Sequence, residues 1–298
     1  MSQTIDLSQL PPPAVIEMPE FEMLKQERLA ELQGLDPVFN ALLESDPAIK
    51  LLEILVYREM VGVQRFNSGI WAVLLAYAMG ADLDQLGANY DVARREITPP
   101  DNTVIPPVPA VMESDDEFRY RIQISWHALN TAGSNKAYEY HTLSADGDVL
   151  DAIAYGPPQT QPGYVDVYVL SRTGNGVPPQ SLLDTVTAAL NAEFVRPLTD
   201  FVTVRPATII DYQIVATIYT DAGPSSDVVM ENAEAAAWRF AEQQHRFDNR
   251  VDIGGVYRAL RQPGTTHVEL TSPAADLIPV TGQVFHCTDV ILTRGDNV

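Results

Sequence analysis

Cysteine is almost missing from this chain of 298 residues: Cys287 is the only one. That excludes an internal disulfide and any zinc cage built from thiolates alone, so the fold rests on packing. Lysine is nearly as scarce, with Lys25, Lys50 and Lys136 the three among nineteen cations, while forty acids bring the net charge to −21. A field of that sign repels phosphate backbones, and the closest cationic pairings, Arg94 with Arg95 and Arg119 with Arg121, sit beside acids, so nucleic acid is not an expected partner. The first ten residues lack the basic start and apolar run of a secretory signal, which predicts a protein that stays in the cytosol or leaves it by a non-secretory route. A long membrane run is missing too. The charge-free stretch between Arg65 and Asp82 contains Asn67, Ser68 and Gly69, short of the ~20 apolar residues a bilayer requires.

What is present points to assembly. The other sixteen cations are all Arg, the side chain whose planar fork makes partly buried ion pairs at interfaces. A hydrophobic share of 46% supports a real core, and the length suits about two domains. From Ala48 to Met79 apolar residues recur at helical offsets through Ile49, Leu52, Leu55, Val56, Met60, Val63, Phe66, Ile70, Trp71, Leu74, Leu75 and Tyr77, with only a thin polar stripe of Lys50, Glu53, Glu59 and Gln64. This pattern predicts one helix of roughly 48 Å, at about 1.5 Å per residue. Such a helix belongs in a bundle, made by its own subunit or shared with a partner, and the pattern leaves both open.

The rest of the chain reads as an α+β, multidomain protein: an N-terminal long-helix bundle region followed by two small α/β domains. Pro11, Pro12, Pro13 and Pro19 make residues 1–20 an extended arm. A helical region follows over 21–97, with helix starts at Asp36-Pro37 and Asp46-Pro47. Five prolines between residues 98 and 110 forbid regular structure and mark a linker. A middle α/β domain is expected over 111–208. It opens on a capping box of Ser114 and Glu117 with a helix to about Asn130, has Gly133 as helix stop and Ser134 as the next cap, and contains a strand with Val165, Val167 and Val169 on one face. Residues 209–298 make a C-terminal α+β domain with a strand at 212–220 and helices at 225–244 and 253–260.

Candidate chemistry is sparse. Gly174-Asn175-Gly176 lacks the third glycine and the Lys of a phosphate loop and reads as a turn. Asp115, Asp116 and Glu117 complement a helix dipole. His286 and Cys287 are neighbours in a strand and point to opposite faces, so even with His267 on an adjacent strand they make a poor zinc site. Ser134 near His141 is better explained as a cap than as a nucleophile with its base. No catalytic, cofactor or metal residue is therefore assigned.

Several segments carry a family resemblance. Tyr57, Arg58 and Glu59, then Leu75, Ala76, Tyr77 and Ala78, then Gly80, Asp82, Leu83, Asp84 and Leu86 resemble the baseplate J-like proteins of contractile phage tails, especially the P2-like group. Glu113 to Asp116, Phe118, Arg119, Arg121 and Ile122 are similar to that family's motif after its proline linker. Thr131, Ala132, Gly133, Ala137, Tyr138, Leu143 to Asp146, and Arg196 to Asp200 follow in the family's order.

The resemblance implies structural work and no enzyme activity. Two J-like copies would pair with one tail-protein-I-like subunit in a wedge, and six wedges would close a ring around the tail tube and take part in triggering contraction. The N-terminal helices would bundle with partner helices, and a sheath-like baseplate W component would dock against that bundle. The place of action would be the virion, with the host cytoplasm as the site of assembly. A tail-associated hydrolase is the alternative from another class. Tyr57, Arg58, Arg65, Phe66, Trp71 and Tyr77 are the candidate partner-interface residues, because aromatics and Arg dominate contact energies.

Overall fold

The computed structural model describes residues 5–13, 15–129, 133–157, 159–193, 195–220 and 226–295. They fall into two compact units, one reaching to Arg94 and taking in Ser114–Ile122, the other holding Arg95–Glu113 and the chain from Gln123. Thr131, Ala132 and Phe194 lie outside the described residues.

The first unit is helical. α1 (Phe21–Leu35) leads through a 3-10 turn (Pro37–Ala41) to α2 (Pro47–Ala72). Leu24 of α1 and Ile49, Leu52 and Val56 of α2 are the buried residues of the pair. Ion pairs Lys25–Glu53 and Arg28–Glu59, each at 2.8 Å, tie the two helices together. Pro47 opens α2 as expected, but the Asp46 carboxylate does not cap it and accepts from the Leu43 N–H instead, at 2.7 Å.

The expected helix end at Met79 is corrected: α2 stops at Ala72 after 26 residues, about 39 Å of rise. Residues 73–79 turn instead, and a side chain distant in sequence holds the turn: the Arg119 guanidinium donates to the Leu75 carbonyl and to the Ala78 carbonyl, both at 2.8 Å. α3 (Gly80–Ala88) follows, and the start of α4 (Asp115–Ile124) packs against it. Phe118 is fully buried there, so close to Gly87 that a Cβ would lie 2.5 Å from its ring. Arg94 covers that ring at 4.8 Å from its centroid and bonds Asp84 and Asp115 at 2.8 and 2.7 Å.

The second unit begins with two short strands that flank the proline-rich stretch, which itself holds no strand. β1 (Glu96–Thr98) pairs antiparallel with β2 (Val111–Met112), and Asp101 and Val108 exchange backbone bonds of 2.9 Å. The prolines lie between the pairing positions, where no donor is required. A 3-10 turn (Ser125–Leu129) replaces the last part of the helix expected to reach Asn130. α5 (Asn135–Ala145), capped by Ser134, and α6 (Gln180–Leu190) cover a sheet of β3 (Val149–Tyr155), β4 (Tyr164–Ser171) and β5 (Phe201–Pro206). β4 is central, antiparallel to β3 and parallel to β5. Its Val165, Val167 and Val169 face the helices and are buried.

Only Ala207 separates β5 from β6 (Thr208–Thr220), so the chain passes directly into a second sheet of order β7-β6-β8. β7 (Thr265–Ser272) is antiparallel to β6 and β8 (Gln283–Arg294) parallel to it, with α7 (Ser226–Gln244) and α8 (Ile253–Leu260) on one face. A smaller cluster joins the two sheets: Leu170 and Ala207 meet Phe247 and Val284, with Ile153 and Tyr168 against them. The Asp151 carboxylate crosses the same joint to accept from the Phe247 N–H at 2.9 Å.

Candidate partner interface

A helix advances about 100° per residue, so side chains seven apart fall almost on one line. The line through Ile49, Leu52 and Val56 is buried. On the opposite side run Leu51, Ile54, Leu55, Arg58, Gly62, Arg65 and Gly69, all exposed. Leu51 and Leu55 are 63% and 65% open, far more than an aliphatic side chain keeps when its face is packed. Besides its buried line, α2 therefore leaves an apolar patch of Leu51, Ile54 and Leu55 uncovered by its own subunit.

The candidate residues distribute unevenly over this surface. Arg58 and Arg65 lie on the outward line, two turns apart, and neither makes an ion pair among the described residues. Tyr57 and Phe66 are exposed on its flanks, 61% and 54% open. Trp71 and Tyr77 come together at the far end, with ring centroids 6.3 Å apart. Tyr77 also donates from its hydroxyl to the Leu10 carbonyl, and the Asn67 amide both accepts from the Ile16 N–H and donates to the Ile16 carbonyl, at 3.2 and 2.8 Å. These bonds hold the proline arm on the last turns of α2.

Sequence reasoning selected aromatics and arginines and passed over Leu51, Ile54 and Leu55. The signal that finds them is their i, i+3, i+4 spacing, out of phase with the buried line of Ile49, Leu52 and Val56. Nothing local announces Asn67, because an amide bonded to a backbone leaves no pattern in composition.

Most of the residues that carry the family likeness serve packing. Arg119 from the second segment holds the carbonyls of Leu75 and Ala78 from the first. Asp115 accepts from the Gly80 N–H at 3.1 Å, and that bond, with Arg94 beside it, holds the Asp115 carboxyl below the usual carboxylate range. Tyr138 donates to Asp200 at 2.7 Å, which joins two later segments in the same manner.

The residues weighed for chemistry do not converge. Ser134 accepts from the Ala137 N–H as a cap. Gly174 to Gly176 form a tight turn in which Ser171 N–H bonds the Gly176 carbonyl at 2.9 Å. His286 pairs with Asp211 at 2.9 Å while Cys287 turns into the core. His267 stands on β7, with β6 between it and β8, so it is not on the strand adjacent to His286. Among the described residues no group of three or more His, Cys, Asp or Glu is placed to hold a metal ion, and no helix is long and apolar enough to cross a membrane.

Comparison with known proteins matches residues 44–101 to the model of the baseplate J-like N-terminal domain and residues 130–206 to that of the baseplate J-like central domain. Over an alignment of 298 residues covering 98% of each chain, 44% are identical to "Baseplate protein J" of Escherichia phage P2. The chain belongs to the baseplate J-like family. It is a structural protein of the phage baseplate, a component of the virion's tail. In this baseplate J-like chain the N-terminal domain match holds α2, α3 and β1, and the central match holds α5, β3, β4, α6 and β5.

Proposed function

We propose that this chain builds the baseplate wedge: two copies join one tail-protein-I-like subunit, and six wedges close a ring around the tail tube that takes part in triggering contraction. The carrying observation is the outward side of α2, where Leu51, Ile54, Leu55 and Phe66 are each more than half exposed. Burying one large apolar side chain contributes about 1.5 to 3 kcal/mol, so four of them supply enough to hold a helical partner before ring closure. Tyr57, Arg58, Arg65, Phe66, Trp71 and Tyr77 are the proposed contact residues. A sheath-like W component docks on the completed bundle, and assembly takes place in the host cytoplasm before the part joins the virion.

Co-expression with the neighbouring tail protein, followed by a pull-down and sedimentation, tests the reading. A complex holding both proteins is expected, and the Arg58→Ala/Arg65→Ala variant is expected to lose it while the free chain keeps its unfolding midpoint. A chain that stays monomeric and indifferent to that neighbour overturns the assignment.

A further inference from the structure

α2 carries five charged side chains, and they divide into two groups. Glu53 is taken by Lys25 and Lys50, at 2.8 and 3.0 Å, and Glu59 by Arg28 at 2.8 Å. Arg58 and Arg65 are left over on the outward line, exposed and without an acid of their own chain among the described residues. They stand seven residues apart, about 10 Å along the axis. Gly62 and Gly69 accompany them, each with nothing within 4 Å of where a Cβ would sit. Leu51, Ile54 and Leu55 begin the same stripe. Seven-residue spacing brings Arg58 and Gly62 onto the same line as Arg65 and Gly69, so one helix laid along α2 meets both arginines, and charged positions inside such a contact decide which helix is accepted.

We propose that the outward face of α2 receives one helix of a different protein, with an apolar stripe that bears two carboxylates about seven residues apart, and that it rejects a second α2. The reading rests on the helix contact proposed above and specifies its chemistry. Charge decides between the occupants. A second α2 would bring two more arginines into the stripe and no free acid, because Glu53 and Glu59 are already bonded. Like charges brought together in a partly desolvated seam cost binding, while each Arg fork facing a carboxylate gains a paired, oriented hydrogen bond. The missing side chains at Gly62 and Gly69 let the incoming backbone approach beside the guanidinium groups.

The test uses the full chain and two labelled four-heptad helical peptides that share a leucine stripe. One peptide carries Glu at two stripe positions seven apart, the other carries Lys there, and binding is followed by fluorescence anisotropy at 100 mM salt. The Glu peptide is expected to bind at least tenfold tighter than the Lys peptide. In Arg58→Glu/Arg65→Glu the order should invert, and in Arg58→Gln/Arg65→Gln the two should bind alike. Circular dichroism of each variant checks that the helices persist, as expected for two exposed positions. Equal binding to the wild-type chain, no binding of either peptide, or a preference unchanged by the charge reversal overturns the inference. The two readings fail separately. A co-expressed complex that the charge reversal leaves intact refutes the acidic stripe together with the contact role of Arg58 and Arg65 and keeps the wedge, whereas a peptide preference without any co-expressed complex refutes the wedge alone.

Discussion

Arg119 holds the turn that follows α2 from more than forty residues away. Its side chain is 12% exposed, and its guanidinium serves two carbonyls of the 73–79 turn as well as Asp116. Hydrogen bonds to a charged donor contribute about 1.5 to 3 kcal/mol each, and a carbonyl left without its donor in a part-buried site adds a desolvation cost. Arg119→Ala is therefore expected to destabilise the chain by about 3 kcal/mol. Arg119→Lys should recover less than half of that, because an ammonium on one stem does not reach two carbonyls in the geometry of a fork. Urea unfolding followed by far-UV circular dichroism checks this: the midpoint should fall in the order wild type, Lys, Ala. A Lys variant as stable as wild type would show that charge alone, without the fork, closes the turn.

At the scale of elements, β3 is joined to the turn after α7 by one carboxylate. Burial pushes the Asp151 carboxyl up to about 6 from 3.8, against the lowering effects of the Phe247 N–H, of Arg246 and of the Ala152 N–H. Between about pH 4 and pH 6 the folded chain thus binds a proton that the unfolded chain has released, so stability falls as pH rises through that window and is level above it. Asp151→Asn keeps an oxygen for Phe247 and removes the buried charge. It is expected to raise stability by about 2 kcal/mol at pH 8 and to leave it unchanged at pH 4, measured as the difference between urea midpoints at the two pH values. A variant less stable than wild type at pH 8 would mean that the charge holds the joint. This joint was invisible in the sequence, since Asp151 and Phe247 are 96 residues apart. The alternation of β4 and the proline start of α2 were legible because a single local period or dihedral preference fixes them. Four residues of β6, Thr208 to Asp211, were missed because none of them is fully buried and they pair with the start of β8, so no buried period marks them. The candidate interface divides in the same way: the spacing of Arg58 and Arg65 can be read directly, while the arm bonded to Asn67 depends on contacts fifty residues apart.

For the whole molecule the net charge of −21 sets the conditions of assembly. Two copies approaching each other carry the same surplus, and their repulsion extends over the screening length, about 10 Å at 0.1 M salt and about 3 Å at 1 M. Pairing of copies is thus expected to strengthen as salt rises from 50 to 500 mM. Docking of an acidic helix on α2 has the opposite sign, because there screening weakens the attraction at Arg58 and Arg65. A wedge that needs both contacts should then have its highest yield at intermediate salt. Sedimentation velocity on the chain alone and on the co-expressed pair separates the two trends. If copy pairing weakens with added salt, oppositely charged patches hold the copies together, and the surplus of acid is not what limits their approach.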